Sequence, residues 1–263
     1  MRLHRFYVRE ALPPAGGNMI VEIDSPELVH QIRNVFRMKV GDKIIIFNGT
    51  GFDYECKIDG FEKSNKISSN SVICLTVQVS TRNNNISGRK LFLCASLIKK
   101  DHFEWVVEKA TELGVTDIVP ISAERSEKKS LNEERLRKIV IEASEQSGRD
   151  TTPMVRQIMG LGSAVSLLKK ENSEIKILAF HTEGESIAKY RSLVSGVTNG
   201  EGCDIKNTKA NTPIAVFIGP EGGWSGAEIE TFHREGVEIV CLGPQVLRAE
   251  TAVVVALSIV VFG

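Results

Sequence analysis

Arg248 and Glu250 stand two residues apart, just beyond an apolar run, Ile239 to Leu242, that reads as a strand ending at Gly243. Between buried elements a minimal polar turn is the expectation. A cation and a carboxylate at the carboxyl end of a strand instead occupy the place where open α/β sheets bind ligands. The pair could move a proton and hold a developing negative charge. A bland reading competes: Glu250 complements the positive end of a helix starting near Thr251, with Arg248 as its ion-pair partner. A second loop of this kind follows the strand-like run Ile214 to Ile218, namely Gly219, Pro220, Glu221, Gly222, Gly223 and Trp224. Without side chains, backbone can approach a ligand closely. No Lys-Ser/Thr follows at P-loop spacing. Gly160 and Gly162 begin a dinucleotide fingerprint, but Val165 stands where its third glycine belongs. An adenosine-type ligand held by main-chain groups remains. His181, at a strand end, could line the same pocket, whereas His233 reads as solvated and Trp224 as a packing anchor.

The elements that must position these loops come in two styles. Up to about residue 80, strands dominate: Phe6 to Val8, Lys43 to Phe47, Tyr54 to Ile58 and Val72 to Val79, with a hairpin turn at Asn48 to Gly51. One helix interrupts them, capped by Ser25 with Pro26 at its first position and Leu28, Val29, Ile32, Val35 and Phe36 on its apolar face. Residues 1–80 therefore read as a small, mostly β, barrel-like module, and the polar stretch Ser80 to Lys90 as a linker.

From there to residue 263, strands and helices alternate, which argues for a parallel sheet covered by helices. Strands are expected at Leu91 to Leu97, Val115 to Ile121 and Lys176 to Phe180. Helices are expected at Asp101 to Leu113, from Asn132 to about Gln146, and at Glu185 to Val194. Ser225 and Glu228 form a capping box for the helix after the glycine-rich loop. Asn199 to Asn211 reads as an insertion. Ala252 to Phe262 is apolar on all sides, so it must be buried on several of them.

With 263 residues and 42% hydrophobic content the chain can bury a real core, which excludes overall disorder. The 33 basic and 33 acidic residues cancel, so no overall basic excess advertises a nucleic-acid partner. Arg2, Arg5, Arg9, Arg33, Arg37 and Lys39 are nevertheless locally basic. The five cysteines are scattered, with no C-x-x-C, and no H-E-x-x-H occurs among the histidines, so a metal site is not expected. There is no apolar signal segment at the start and no apolar run long enough to span a bilayer. A soluble, cytoplasmic protein with reduced thiols is the expectation.

The loop motifs also carry a resemblance. Ile218 to Trp224, followed by Leu242-Gly243-Pro244-Gln245-Val246-Leu247-Arg248-Ala249-Glu250-Thr251-Ala252, resembles the SPOUT class of RNA methyltransferases. More narrowly it is similar to the RsmE family, which methylates N3 of a uridine in 16S ribosomal RNA. His4 to Val8, His30 to Arg37, Gly41-Asp42, Glu108 to Val115 and Glu145 to Arg149 extend the likeness over nearly the whole chain. The resemblance implies a PUA-like β-barrel domain over 1–80 and a SPOUT methyltransferase domain over 81–263 with a C-terminal trefoil knot, working as a homodimer on the small ribosomal subunit. It implies S-adenosyl-L-methionine bound by Leu178 and His181, by Gly219, Pro220, Glu221, Gly222 and Gly223, and by Leu242, Gly243, Leu247, Thr251 and Ala252. Arg248 and Glu250 are the expected catalytic pair. Arg5, Arg9, Arg33, Arg37, Arg125, Gln146 and Arg149 are the expected RNA contacts. A non-catalytic assembly factor, or a SPOUT enzyme acting on another RNA, remains the alternative.

Overall fold

The structure, a computed structural model, describes residues 3–12, 19–62, 72–83, 89–127, 130–190 and 212–262. The chain divides into two compact units, Met1–Ile86 with Ser144–Thr152, and Ser87–Ala143 with Pro153–Gly263.

The first unit holds β1 (Arg5–Tyr7), β2 (Met19–Ile23), α1 (Pro26–His30), β3 (Lys43–Phe47), β4 (Phe52–Glu62) and β5 (Val72–Arg82). Its sheet runs β1-β3-β4-β5-β2, with β1 parallel to β3 and the other pairs antiparallel. Period-two alternation builds it. Ile44 and Ile46, then Tyr54, Cys56 and Ile58, then Ile73, Leu75 and Val77 all turn inward onto Phe6, Ile23 and Ile32. Burial pushes the Cys56 thiol up to about 12, so this cysteine is a core residue rather than a nucleophile.

Gly49 and Gly51 take positive φ in the β3–β4 turn. Ser25 caps α1 through the Leu28 N–H, with Pro26 at the first position. The helix then passes into one π-turn, Gln31–Val35, and stops at Arg37 with φ of 55°. The wider turn rotates the residues beyond it, so Val35 is 62% exposed although helical spacing places it on the buried face.

The expected linker begins later than its composition indicates. β5 continues to Arg82, and Asn83 is buried. Its Nδ2 donates to both Asp53 carboxylate oxygens (3.2 and 3.1 Å) and to the Gly148 carbonyl (3.0 Å). Asn84, Asn85, Ser87 and Gly88 lie outside the described residues.

The second unit holds β6 (Leu91–Ser96), α2 (Lys100–Glu112), β7 (Asp117–Ile121), α3 (Glu133–Ser147, its last turn in the first unit), β8 (Met154–Val155), α4 (Leu161–Glu171), β9 (Lys176–Ser186), β10 (Ile214–Ile218), α5 (Gly226–Arg234), β11 (Glu238–Cys241) and α6 (Ala249–Phe262). Its six strands, ordered β11-β9-β10-β6-β7-β8, are all parallel. Both faces are buried, as parallel sheets require. Leu91, Leu93 and Ala95 of β6 face a layer of α2, α3 and α6 that supplies Phe103, Val107, Leu136, Val140, Val253 and Leu257. Phe92 and Cys94, on the other face, meet Ala164, Val165 and Leu168 of α4 and Phe232 of α5.

Three elements depart from expectation. Helix α4 occupies the stretch weighed as a nucleotide fingerprint, with Gly160 at its N-cap and Leu161, Ala164, Val165 and Leu168 at helical spacing on its buried side. Strand β9 runs on to Ser186, where a helix was expected, because β11 pairs along it through a register shift after Ile239. A single 3-10 turn, Ile187–Tyr190, follows, and the rest of that expected helix and the Asn199 to Asn211 stretch lie outside the described residues. Finally, Glu250 and Thr251 belong to the first turn of α6 rather than to a loop, and the Ala252 N–H donates to the Arg248 carbonyl at 2.8 Å. No helix among the described residues is long and apolar enough to cross a membrane.

Candidate active site

Strand β9 lies between β10 and β11, and the last residue of β10, Ile218, pairs with Phe180 partway along β9. There the chain forms a cavity of about 350 Å³. Phe180, His181 and Thr182 of β9 supply one wall, and Ile218 with Gly219 through Trp224 a second. Leu242, Gly243, Gln245, Val246, Leu247, Ala249 and Ala252 form the third, and Arg125 reaches the rim from the β7–α3 connection. Such a volume suits a small organic ligand.

The glycines are required by geometry. A Cβ on Gly219 would sit 3.2 Å from Trp224 Cε2, and that ring cannot yield. Trp224 is 3% exposed, its Nε1 donates to the Phe180 carbonyl at 3.1 Å, and its face meets Phe232 edge-on. A Cβ on Gly222 would sit 3.3 Å from Arg125 Cβ, while Gly223 takes φ of 67° and Gly243 φ of 151°. The loop is anchored on both sides. Gly223 N–H closes a turn on the Pro220 carbonyl at 2.8 Å. Ser225 and Glu228 form the complete capping box of α5, and Glu228 Oε1 also accepts from the Glu124 N–H at 3.0 Å. Arg125 Nη1 donates to the Gly222 carbonyl at 2.8 Å. The result is a rigid, main-chain-lined pocket.

Of the expected ligand-binding residues, His181, Gly219, Pro220, Glu221, Gly222, Gly223, Leu242, Gly243, Leu247 and Ala252 meet on this cavity. Leu178 does not: it is 2% exposed in the core beneath, paired with Val216 in the interior of β10. Thr251 does not either, since its place in the first turn of α6 turns it to solvent. Phe180, Thr182, Gln245 and Val246 also line the wall; Gln245 and Val246 lie inside the Leu242 to Ala252 motif, whereas Phe180 and Thr182 had no signal beyond adjacency to His181.

Arg248 is exposed next to the wall residues Leu247 and Ala249. Among the described residues no ion pair joins it to Glu250. Glu250 Oε1 lies 3.7 Å from Nδ1 of His102 on α2, a neighbour no local pattern indicated. Its Oε2 is buried without a hydrogen-bond partner.

The expected RNA contacts divide sharply. Arg9, Arg33, Arg37 and Gln146 are exposed in the first unit, and the Arg33 guanidinium lies 5.6 Å from the centre of the Phe61 ring. Arg5 is engaged internally: its side chain is 7% exposed, pairs with Asp53, donates to the Arg149 carbonyl at 2.7 Å and stacks on Phe47. Arg149 is itself 8% exposed, and burial lowers its pKa to about 10. Both are therefore structural, not surface, cations. Arg125 lies on the cavity wall. Glu145 accepts from the Tyr7 N–H at 2.8 Å, so the stretch from Glu145 to Arg149 is stitched into the first unit. Among the described residues no three His, Cys, Asp or Glu side chains could jointly hold a metal ion.

Residues 85–261 match the family model of an RNA methyltransferase domain, and residues 25–64 that of an RNA methyltransferase PUA domain. The fold is thus that of an RNA methyltransferase of α/β type with a PUA-like N-terminal sheet. The ribosomal RNA small subunit methyltransferase E of Bacillus subtilis is 32% identical, over 88% of this chain and 86% of that protein. Its Rickettsia conorii counterpart is 29% identical, over 98% and 95%. The same enzyme from Neisseria gonorrhoeae, solved with S-adenosylmethionine bound, superposes with a TM-score of 0.77 at 27% identity, covering 98% of this chain and 96% of that one. A Legionella pneumophila protein described as a methyltransferase, also solved with this cofactor, gives 0.77 at 27% identity, covering 99% and 97%. The chain belongs to the ribosomal RNA small subunit methyltransferase E family, the RsmE family that its motifs resemble.

Proposed function

We propose that this protein is an S-adenosylmethionine-dependent methyltransferase that modifies N3 of a uridine in 16S ribosomal RNA of the small subunit. The observation that carries this reading is the cavity beside β9 at the ends of β10 and β11, walled by glycine loops in which a Cβ on Gly219 or Gly222 would crowd Trp224 or Arg125. Its residues fit the donor: the glycines Gly219, Gly222, Gly223 and Gly243 leave backbone open to an adenosine-sized ligand, and His181, Leu242, Leu247 and Ala252 line the same space. When bound, S-adenosylmethionine supplies an electrophilic methyl group, and the protein's chief contribution is to position the acceptor in line with it.

Uracil N3 carries a proton and attacks poorly until that proton leaves. Glu250 is the proton acceptor in this reading, placed in the first turn of α6 next to the wall residue Ala249. Arg248, exposed beside the wall, stabilises charge on the uracil carbonyls. N3 lies on the Watson–Crick edge, so the target nucleotide must be unpaired or flipped out. Residues 1–80 position the RNA through Arg9, Arg33 and Arg37, with Gln146 beside them in the first unit, chiefly by phosphate contacts. Residues 81–263 carry the chemistry.

Two architectural features complete the proposal. Strand β11 follows β10 in sequence yet pairs outside β9, and α6 then returns to pack on β10 and α2. That doubling back supports a trefoil knot around the donor loops. Helices α2 and α6 leave Trp105, Val261 and Phe262 exposed, which supports a homodimer that covers them. Mass spectrometry of ribosomal RNA from a strain lacking this protein tests the function. Loss of one N3-methyluridine, restored by the wild-type gene, is the expected result; an unchanged modification profile would overturn it.

A further inference from the structure

S-adenosylmethionine carries one anionic group, the α-carboxylate of its methionine part, beside two cationic ones, the sulfonium and the α-ammonium. The cavity wall has a matching asymmetry. Among its described residues Arg125 is the one permanent cation and Glu221 the one carboxylate. Arg125 is held in place before any ligand arrives. Its stem fills the space a Cβ on Gly222 would need, at 3.3 Å from Cβ and 3.4 Å from Cδ, and Nη1 donates to the Gly222 carbonyl. The preceding Glu124 N–H is fixed on Glu228. A guanidinium has five N–H donors, so one spent on Gly222 leaves the fork able to receive a carboxylate. Among the described residues no carboxylate is paired with it.

We propose that Arg125 receives the α-carboxylate of the methyl donor and thereby sets the orientation of its methionine part. This rests on the cofactor reading above. An RNA phosphate is the competing anion, but Arg125 lines the same wall as the glycine loop and is hydrogen-bonded to it, whereas the exposed arginines Arg9, Arg33 and Arg37 belong to the first unit.

The test compares three ligands by calorimetry on the full chain: S-adenosylmethionine, its decarboxylated form, which keeps the sulfonium and the amine, and methylthioadenosine, which lacks the whole amino-acid part. Wild type should bind the decarboxylated form about tenfold or more weakly, the usual scale for a hydrogen bond to a charged group. Arg125→Gln keeps an amide able to donate to Gly222 but removes the charge. It should weaken S-adenosylmethionine by that same factor, make the two sulfonium ligands equal, and leave methylthioadenosine unchanged. A wild-type preference that survives in Arg125→Gln overturns the inference. So does an equal loss for all three ligands, which would mean that Arg125 only shapes the loop. Weakened binding of a small-subunit RNA fragment with the ligand preference intact would assign Arg125 to RNA instead. Wild type binding none of the three would sink the cofactor reading itself, and this inference with it.

Discussion

Gly222 and Gly219 sit where an added methyl group would press on Arg125 at 3.3 Å and on Trp224 at 3.2 Å. Gly222→Val would drive a branched side chain into Arg125 and into the ligand's approach, so S-adenosylmethionine, which should raise the melting temperature of wild type by binding only the folded state, should give no shift in the variant. A wild-type melting curve unmoved at saturating ligand would count against the donor pocket. At the same scale, loss of one pre-organised charge-stabilising group typically costs on the order of a hundredfold in rate. Glu250→Gln and Arg248→Ala should therefore both slow single-turnover methylation of small-subunit particles while sparing RNA affinity. Raising pH should partly rescue Glu250→Gln, because the imide then loses its proton to solvent, and should rescue Arg248→Ala less. Near wild-type rates in both variants would leave Glu250 as a helix-terminal carboxylate beside His102 and nothing more.

The elements that carry the site depend on a few local devices. Ser225→Ala removes the side-chain half of the α5 capping box, at a cost of about 1 kcal/mol. The destabilisation should appear in denaturant titrations as a lower midpoint with unchanged slope. In the first unit, the segment after α3 brings Asp150 inside, 1% exposed, with no side-chain partner for its carboxylate among the described residues. Burial raises its pKa above the ordinary carboxylate value; its own backbone N–H and the Arg149 and Arg5 charges pull the other way, and Asp53 adds to the rise. A folded-state pKa above the unfolded one favours the protonated carboxyl. Its contribution to stability is complete below the unfolded value, about 3.9, and is lost as pH rises through the folded one. Asp150→Asn should thus melt higher than wild type at pH 7, with the gap closing toward pH 4. An equal gap at both ends of that range would show that the carboxylate charge is not what costs stability.

For the whole molecule, the decisive quantity is the surface that α2 and α6 leave open. Trp105 is 41% exposed and Phe262 76%, on two helices that pack together, and the proposed dimer would cover them. Sedimentation at micromolar concentration should show a dimer, and Trp105→Glu should shift it toward monomer with reduced methylation. A fully active wild-type monomer would rule out the obligate dimer. The charge proposed to meet RNA belongs to this scale too. A net charge of zero conceals Arg9, Arg33 and Arg37 on the surface of one unit and the internal pairing of Arg5.

Much of this was legible in the residues themselves, because the signals are local. Ser25 and Ser225 announce helix starts through hydrogen bonds three residues away. The apolar periods of β3, β4, β5 and α2 announce their type, and the two glycine loops announce a ligand. The β2 strand was not legible, since Met19 to Ile23 becomes a strand by pairing with β5 at the sheet edge. The π-turn that turns Val35 outward breaks the very period used to read the helix. Nor could any local pattern show that β9 lies between β10 and β11, which is what gathers three chain segments around one cavity. Strand order is chosen by hydrogen bonds and packing between segments far apart in the chain. The same holds for single side chains: Arg5 is withdrawn from the surface by Asp53, 48 residues on, and Arg125 is brought to Gly222 across 97. Residue types alone determined which groups could do the chemistry. Only the tertiary structure decided which of them meet, because burial and pairing depend on neighbours that the chain supplies from elsewhere.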